Sequence, residues 1–171
     1  MNRFDSNLWT MLKESGSSLT LSARISIMQI ILDVLIFIQQ KGFCHFDVKP
    51  TNFFVNLDQS GNWNGRDLVI GDFGLSSSST NLEGIGCGTP GFSSPEQFLR
   101  KPSTKSDNFG FGRTAVIILF KWNQAWNLLV QPLTENEYKN HSLHNQPISD
   151  VISNLLNVSR PIKRYDIIFC Y

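Results

Sequence analysis

The chain has 171 residues, 41% of them hydrophobic and 12% aromatic, which is enough apolar side chain for the core of one domain and excludes a wholly disordered polymer. Lys and Arg number 15 against 14 Asp and Glu, and a formal net charge of +1 excludes recognition of nucleic acid or an anionic membrane by bulk charge. Cys44, Cys87 and Cys170 lie far apart with no Cys-x-x-Cys pair, which argues against a disulfide framework or a thiolate zinc site and fits a reducing, intracellular compartment.

The N-terminal residues lack the basic flank and continuous apolar run of a signal peptide. Residues 8–13 predict a short helix ended by Gly16. Residues 22–40 predict a long one, capped by Thr20 or Ser22 and stopped by Gly42, with Ile25, Met28, Ile31, Leu32, Leu35 and Ile38 at helical spacing. Its richest apolar run, 25–38, is interrupted by Ser26, Gln29 and Asp33. That run is shorter than the ~20 residues a membrane span needs, so a buried core helix is expected. Residues 53–57 and 67–70 are β-rich and joined by an Asn/Gly-rich segment, which predicts a hairpin. Residues 76–95 read as one long loop, Ser106 or Asp107 as the cap of a buried helix reaching 121, and 148–157 as a further amphipathic helix. The expected fold class is α+β, predominantly helical, with one small hairpin.

Residues 45–55 read His-Phe-Asp-Val-Lys-Pro-Thr-Asn-Phe-Phe-Val and place Asp47, Lys49 and Asn52 in the loop between the long helix and the first hairpin strand. Offsets of two and five residues from the aspartate match a phosphoryl-transfer loop, in which Asp accepts a hydroxyl proton and Asn holds magnesium. Taken alone, the same residues also suit a polar turn whose side chains bond their own backbone. Twenty residues on, Asp72-Phe73-Gly74 closes the hairpin. A carboxylate at a strand end, followed by a glycine free to take positive φ, can aim an oxygen at a metal, whereas an isolated Asp-x-Gly is an ordinary turn. Gly88-Thr89-Pro90-Gly91-Phe92-Ser93-Ser94-Pro95-Glu96 follows, then Lys105 to Gly112 opening the buried helix, then Pro161-Ile162-Lys163-Arg164.

In this order the segments resemble the large, C-terminal lobe of a eukaryotic-type protein kinase over roughly residues 8–169. Lys49 and the Gly-Thr-Pro at 88–90 resemble the serine/threonine class rather than the tyrosine class. The resemblance implies Asp47 as catalytic base, Lys49 steadying the transferred phosphoryl group, and Thr89 bridging the two. It implies Asn52 and Asp72 as magnesium ligands and Phe54 under the adenine, although Phe54 serves equally as a core strand residue. It also implies a Glu96–Arg164 ion pair and backbone N–H bonds from the catalytic loop to Asp107. ATP and Mg2+ are the implied cofactors and a protein the implied substrate, with no nucleic acid and no membrane insertion, and with room for regulatory domains on a parent chain.

Several positions depart from the pattern. Only 44 residues precede His45, and two predicted helices occupy them, so no room remains for the family's small lobe. No Gly-rich loop followed by a strand lysine precedes the catalytic loop, and neither Lys13 nor Lys41 sits in such a strand. The Gly-x-Gly-x-x-Gly at 86–91 comes after Asp72 and leads into a Pro-containing loop, so it is a chance match. Phe46 replaces an arginine that in many kinases binds an activation-loop phosphate, while Ser76 to Thr80 remain modifiable. The chain stops seven residues past Arg164. Residues 1–171 are therefore expected to be the C-terminal lobe only, truncated, with catalytic loop 45–52 and activation segment 72–96. Two readings remain: part of a serine/threonine kinase, inactive without its small lobe, or a pseudokinase or interaction module. His141 and His144 are expected to be solvated rather than a metal pair, and Arg100, Lys101 and Lys105 a solvated basic cluster.

Overall fold

The structure, a computed structural model, describes residues 4–82 and 88–119. In chain order these form β1 (Ser6–Asn7), α1 (Leu8–Ser15), α2 (Leu21–Gln40), β2 (Phe43–Cys44), β3 (Phe53–Leu57), β4 (Trp63–Ile70), β5 (Ser77–Ser78), α3 (Pro95–Phe98) and α4 (Ser106–Leu119), with 3-10 turns at Gly16–Ser18, Pro50–Asn52 and Phe73–Leu75.

Each early helix starts where a short polar side chain can take an orphan amide. Asn7 Oδ1 accepts the Thr10 N–H at 2.9 Å to begin α1, and Thr20 Oγ1 accepts that of Ala23 at 3.2 Å to begin α2. The choice left open between Thr20 and Ser22 thus falls on Thr20. Ile27, Met28, Ile31, Leu35 and Ile38 form the buried stripe of α2. The helix packs on α4 and β4, where Ile117, Ile118 and Leu68 complete the core. Each fully buried side chain of this size contributes roughly 1.5–3 kcal/mol relative to exposure. One expectation is corrected: α2 is helical over 20 residues, with a mean hydropathy of 2.0 in its most apolar window, so by length and composition it could cross a membrane. In this fold its stripe is the centre of the core. The Arg24 guanidinium donates to the carbonyls of Gly16, Leu19 and Ile118, tying α2 to the preceding turn and to the end of α4. Burial lowers its pKa from the ordinary value.

The predicted hairpin is β3 and β4, antiparallel, with Phe54 opposite Val69 and Val55 opposite Leu68. Two pairings were not anticipated. Asn7 of β1 pairs with Phe54, which makes a three-stranded sheet in the order β1-β3-β4. Ser77 and Ser78 pair with Cys44 and Phe43 in a second small sheet, inside what was expected to be loop. A run of serines has no alternating apolar pattern, and this pairing is made by backbone alone, including Ser79 N–H to Gly42 O at 2.8 Å. The described part is thus a mixture of helices and antiparallel strands.

Ser106 and Asp107 lie in the first turn of α4 rather than capping it. The Ser103 hydroxyl accepts the Lys105 N–H at 3.2 Å, and the Asp107 carboxylate is turned away toward the loop after β2. Gly110 lets α4 approach that loop, because a Cβ there would lie 2.7 Å from the Val48 carbonyl oxygen. The expected helix at 148–157, the end of α4 at 121, Cys87, Cys170, His141, His144 and Arg164 lie outside the described residues.

Candidate active site

Asp47, Lys49 and Asn52 sit between β2 and β3, on a loop whose backbone is fixed from below by α4. Asp107 Oδ2 accepts the His45 N–H and Oδ1 that of Phe46, both at 2.7 Å. Burial raises the Asp107 carboxyl above its ordinary pKa, and these two amides, with the His45 ring, pull the other way. Phe46 takes φ 62°, uncommon for a bulky residue and held here by its buried surroundings.

The result is a closed triangle of polar groups. Lys49 Nζ lies 2.7 Å from Asp47 Oδ2 and donates to Thr89 Oγ1 at 2.7 Å, while the Thr89 hydroxyl donates to Asp47 Oδ1 at 2.7 Å. Asn52 Nδ2 donates to the Asp47 carbonyl at 2.9 Å and to its Oδ2 at 3.2 Å. Burial alone would raise the Asp47 carboxyl, but bonds from Lys49, Thr89 and Asn52 and the lysine charge outweigh it, so the group is held below its ordinary pKa. Asn52 is thereby oriented with its amide nitrogen inward and its Oδ1 left over as an acceptor.

Asp72 reaches the same neighbourhood by backbone. The Gly71 N–H donates to the Asn52 carbonyl at 2.9 Å, and Gly71 packs on the Phe54 ring, which a Cβ would meet at 2.8 Å. The sequence placed the positive φ of this turn on Gly74; instead Asp72 itself takes φ 59°, ψ 67°, and its side chain is exposed. Phe54 is half-buried on β3, with the Phe4 ring 6.2 Å away. Glu96 accepts hydroxyl bonds from Ser103 at 3.3 Å and Ser106 at 3.1 Å, while its expected partner Arg164 lies outside the described residues.

Three contributors went unassigned in the sequence. His45 is fully buried; the Asp47 N–H donates to its Nδ1 at 3.3 Å, so Nε2 carries the proton and donates to the Gly71 carbonyl at 2.9 Å. Its ring stands edge-on to Phe73 at 4.9 Å. Gln97 donates to the Phe46 carbonyl at 2.6 Å. Ser93 Oγ donates to the Thr89 carbonyl at 2.9 Å. His45 was legible as a motif neighbour, whereas no local pattern marks Gln97 or Ser93.

Among the described residues no group of three or more His, Cys, Asp or Glu side chains could by itself hold a metal ion. Asn52 Oδ1 and the Asp72 carboxylate are hard oxygen donors of the kind Mg2+ takes when phosphate oxygens and water supply the rest, so the residues present fit that ion.

A protein kinase domain family model matches residues 2–166. Calcium/calmodulin-dependent protein kinase type 1 of Caenorhabditis briggsae is 30% identical over 128 residues, covering 70% of this chain and 34% of that protein. Serine/threonine-protein kinase H1 of Homo sapiens is 34% identical over 100 residues, covering 54% of this chain and 22% of that protein. The chain therefore spans about a third or less of the length of these curated relatives. A chain in the crystal structure of the yeast RNA Pol II CTD kinase CTDK-1 complex shares the fold, with a TM-score of 0.56 at 20% identity over 68% of this chain and 38% of that one. With a family model matched over nearly its whole length, the chain belongs to the protein kinase domain family.

Proposed function

We propose that this chain supplies the phosphoryl-transfer half of a protein serine/threonine kinase, with a small lobe elsewhere covering the nucleotide. The observation that carries the reading is the Asp47–Lys49–Thr89 triangle with Asn52 fixed to the same carboxylate. An aspartate held ionised by three donors can accept the proton of a serine or threonine hydroxyl as its oxygen bonds to the γ-phosphorus and the bond to the β-phosphate oxygen breaks. Lys49 places a cation beside that carboxylate, where phosphate charge is to be neutralised. Asn52 Oδ1 and Asp72 would hold magnesium, which when bound neutralises phosphate oxygens. Phe54 offers a half-buried apolar face for a purine. Residues 45–52 act as the catalytic loop and 72–96 as the activation segment, and the free, buried Cys44 is in keeping with an intracellular setting.

Phosphoryl transfer is mostly positioning and charge neutralisation, and the sequence holds neither the Gly-rich cover nor the strand lysine that share that work. Magnesium-dependent transfer of labelled phosphate from ATP to a serine/threonine peptide, assayed with the 171 residues alone and joined to a kinase small lobe, tests this. Negligible transfer alone and robust transfer when joined is the expected result. Robust transfer by the chain alone overturns the half-site reading, and a folded but inactive joined protein moves the case to a pseudokinase or interaction module.

A further inference from the structure

Gln97, on α3, is buried, and its Nε2 donates to the Phe46 carbonyl oxygen at 2.6 Å. That carbonyl belongs to the Phe46–Asp47 peptide. The N–H of Phe46 is already held by Asp107, so Gln97 fixes the second polar end of a residue at φ 62°, and with it the plane from which Asp47 departs. The same Gln97 Nε2 and the carbonyl it bonds abut Gly88. A Cβ at Gly88 would lie 2.9 Å from Gln97 Nε2, 2.9 Å from the Phe46 oxygen and 2.4 Å from Ser93 Oγ, and Gly88 itself takes φ 67°. Gly88 directly precedes Thr89, the hydroxyl that joins Asp47 to Lys49. The Thr89 carbonyl is pinned in turn by the N–H groups of Phe92 and Ser93, both at 3.0 Å, and by the Ser93 hydroxyl.

From this arrangement we propose that Gln97 is a positioning residue of the transfer site. Its one amide sets the Phe46–Asp47 peptide and the Gly88–Thr89 backbone against each other, so that the Asp47–Lys49–Thr89 triangle is assembled before any ligand arrives. Glu96 and Gln97, neighbours in sequence, divide their work: Glu96 accepts from Ser103 and Ser106 at the start of α4, whereas Gln97 faces the catalytic loop. The role in turnover rests on the kinase reading above, but the mechanical link does not.

The test is Gln97→Met, which keeps length and volume and removes the donor, with Gly88→Ala as a second variant that crowds the Gln97–Phe46 hydrogen bond from beside it. Hydrogen exchange on the 171-residue chain reads the link without any activity. Protection of the Phe46, Asp47, Phe92 and Ser93 amides is expected to fall about tenfold in both variants, the scale of one net buried hydrogen bond, while the Ile31 and Leu35 amides of α2 are unchanged. Unchanged protection in both loops overturns the proposal, and so does an equal loss in α2, which would make Gln97 an ordinary stability residue. In the chain joined to a small lobe, Gln97→Met should lower kcat about tenfold with KM for ATP within about twofold, and adding it to Thr89→Ala should cost nothing further. Full additivity with Thr89→Ala overturns the proposal. An inactive wild-type joined protein speaks against the kinase reading instead, and the exchange result then decides on Gln97 alone.

Discussion

Two aspartates in this site are treated in opposite ways. Asp47 is 8% exposed, and Lys49, Thr89 and Asn52 all bond its carboxylate; Asp72 is exposed, in a left-handed turn, and its carboxylate takes no hydrogen bond from the described residues. A group that must take a proton from a defined direction gains from being held from several sides in advance. A group that must accept an incoming cation gains from carrying no partner that the cation would have to displace. Under the proposed kinase reading the contrast gives preorganisation to Asp47 and availability to Asp72, and substitution at each end can break it.

The largest expected effect is on stability and falls at the foundation of the Asp47 loop. Asp107→Ala strands the buried N–H groups of His45 and Phe46 and should cost about 3 kcal/mol or more, whereas Asp72→Ala, on an exposed turn, should stay within about 0.5 kcal/mol. Urea unfolding of the two variants measures both. Similar losses would mean that Asp72 is also a structural acid and that the contrast does not hold.

Next comes the difference in chemistry. In a chain completed by a small lobe, Asp47→Asn should lower turnover by about 10²-fold or more with ATP affinity nearly unchanged, as loss of a general base does. Asp72→Ala should instead abolish the magnesium dependence together with productive nucleotide binding. Peptide phosphorylation against magnesium concentration separates the two, and identical profiles would merge the two roles.

A third effect is in acid stability. The Asp47 carboxyl is held below its ordinary pKa, so the folded chain binds its proton less readily than the unfolded chain does. The stabilisation it brings is complete above the unfolded value of about 3.9 and is lost as pH falls through the folded value. Asp107, raised by burial, has the opposite sign and adds nothing to that acid-side loss. The fall in unfolding midpoint between about pH 6 and about pH 3 should therefore be smaller in Asp47→Asn than in the wild type. An equal fall would show that the donors around Asp47 do not favour its ionised form.

What could be read from the sequence follows the range of the interactions involved. Asp47, Lys49 and Asn52 share one loop, so their spacing alone places them together, and α2 announces itself because Met28, Ile31, Leu35 and Ile38 repeat with the helix period, although Ile27 rather than Ile25 or Leu32 completes the buried stripe. Thr89, 42 residues from Asp47, was placed only through the resemblance. The β2–β5 pairing was missed because it uses backbone groups of serines that carry no strand pattern. Gln97 was missed because its partner is a main-chain carbonyl 51 residues away, and a main-chain carbonyl has no sequence signature. The left-handed turn was placed on Gly74 by preference for glycine, but the conformation fell on Asp72, a residue type that tolerates it.

The smallest expected effect concerns regulation, where the contrast between held and open groups reaches residues 76–80, part of the proposed activation segment. Phe46 stands where many kinases carry the phosphate-binding arginine, and its ring is buried against the loop rather than offered to solvent. A neutral buried ring cannot take up an added phosphate. The hydroxyls that could carry one make local bonds only: Ser77 Oγ to the Asn81 carbonyl at 2.7 Å, and Ser78 Oγ with Thr80 Oγ1 at 2.9 Å, with Ser77 and Ser78 half-buried and Thr80 exposed. Of the hydroxyls at 76–80, that of Ser76 bonds the loop before β3, donating to the His45 carbonyl 3.2 Å away. Alanine at Ser77, Ser78, Ser79 and Thr80 together should change peptide phosphorylation by the chain joined to a small lobe less than about twofold, since the side-chain bonds it removes stay within residues 77–81. Aspartate at the same positions should do no more. Loss of activity in the alanine variant with recovery in the aspartate variant would show that another cation, not the residue at 46, reads phosphate in this loop.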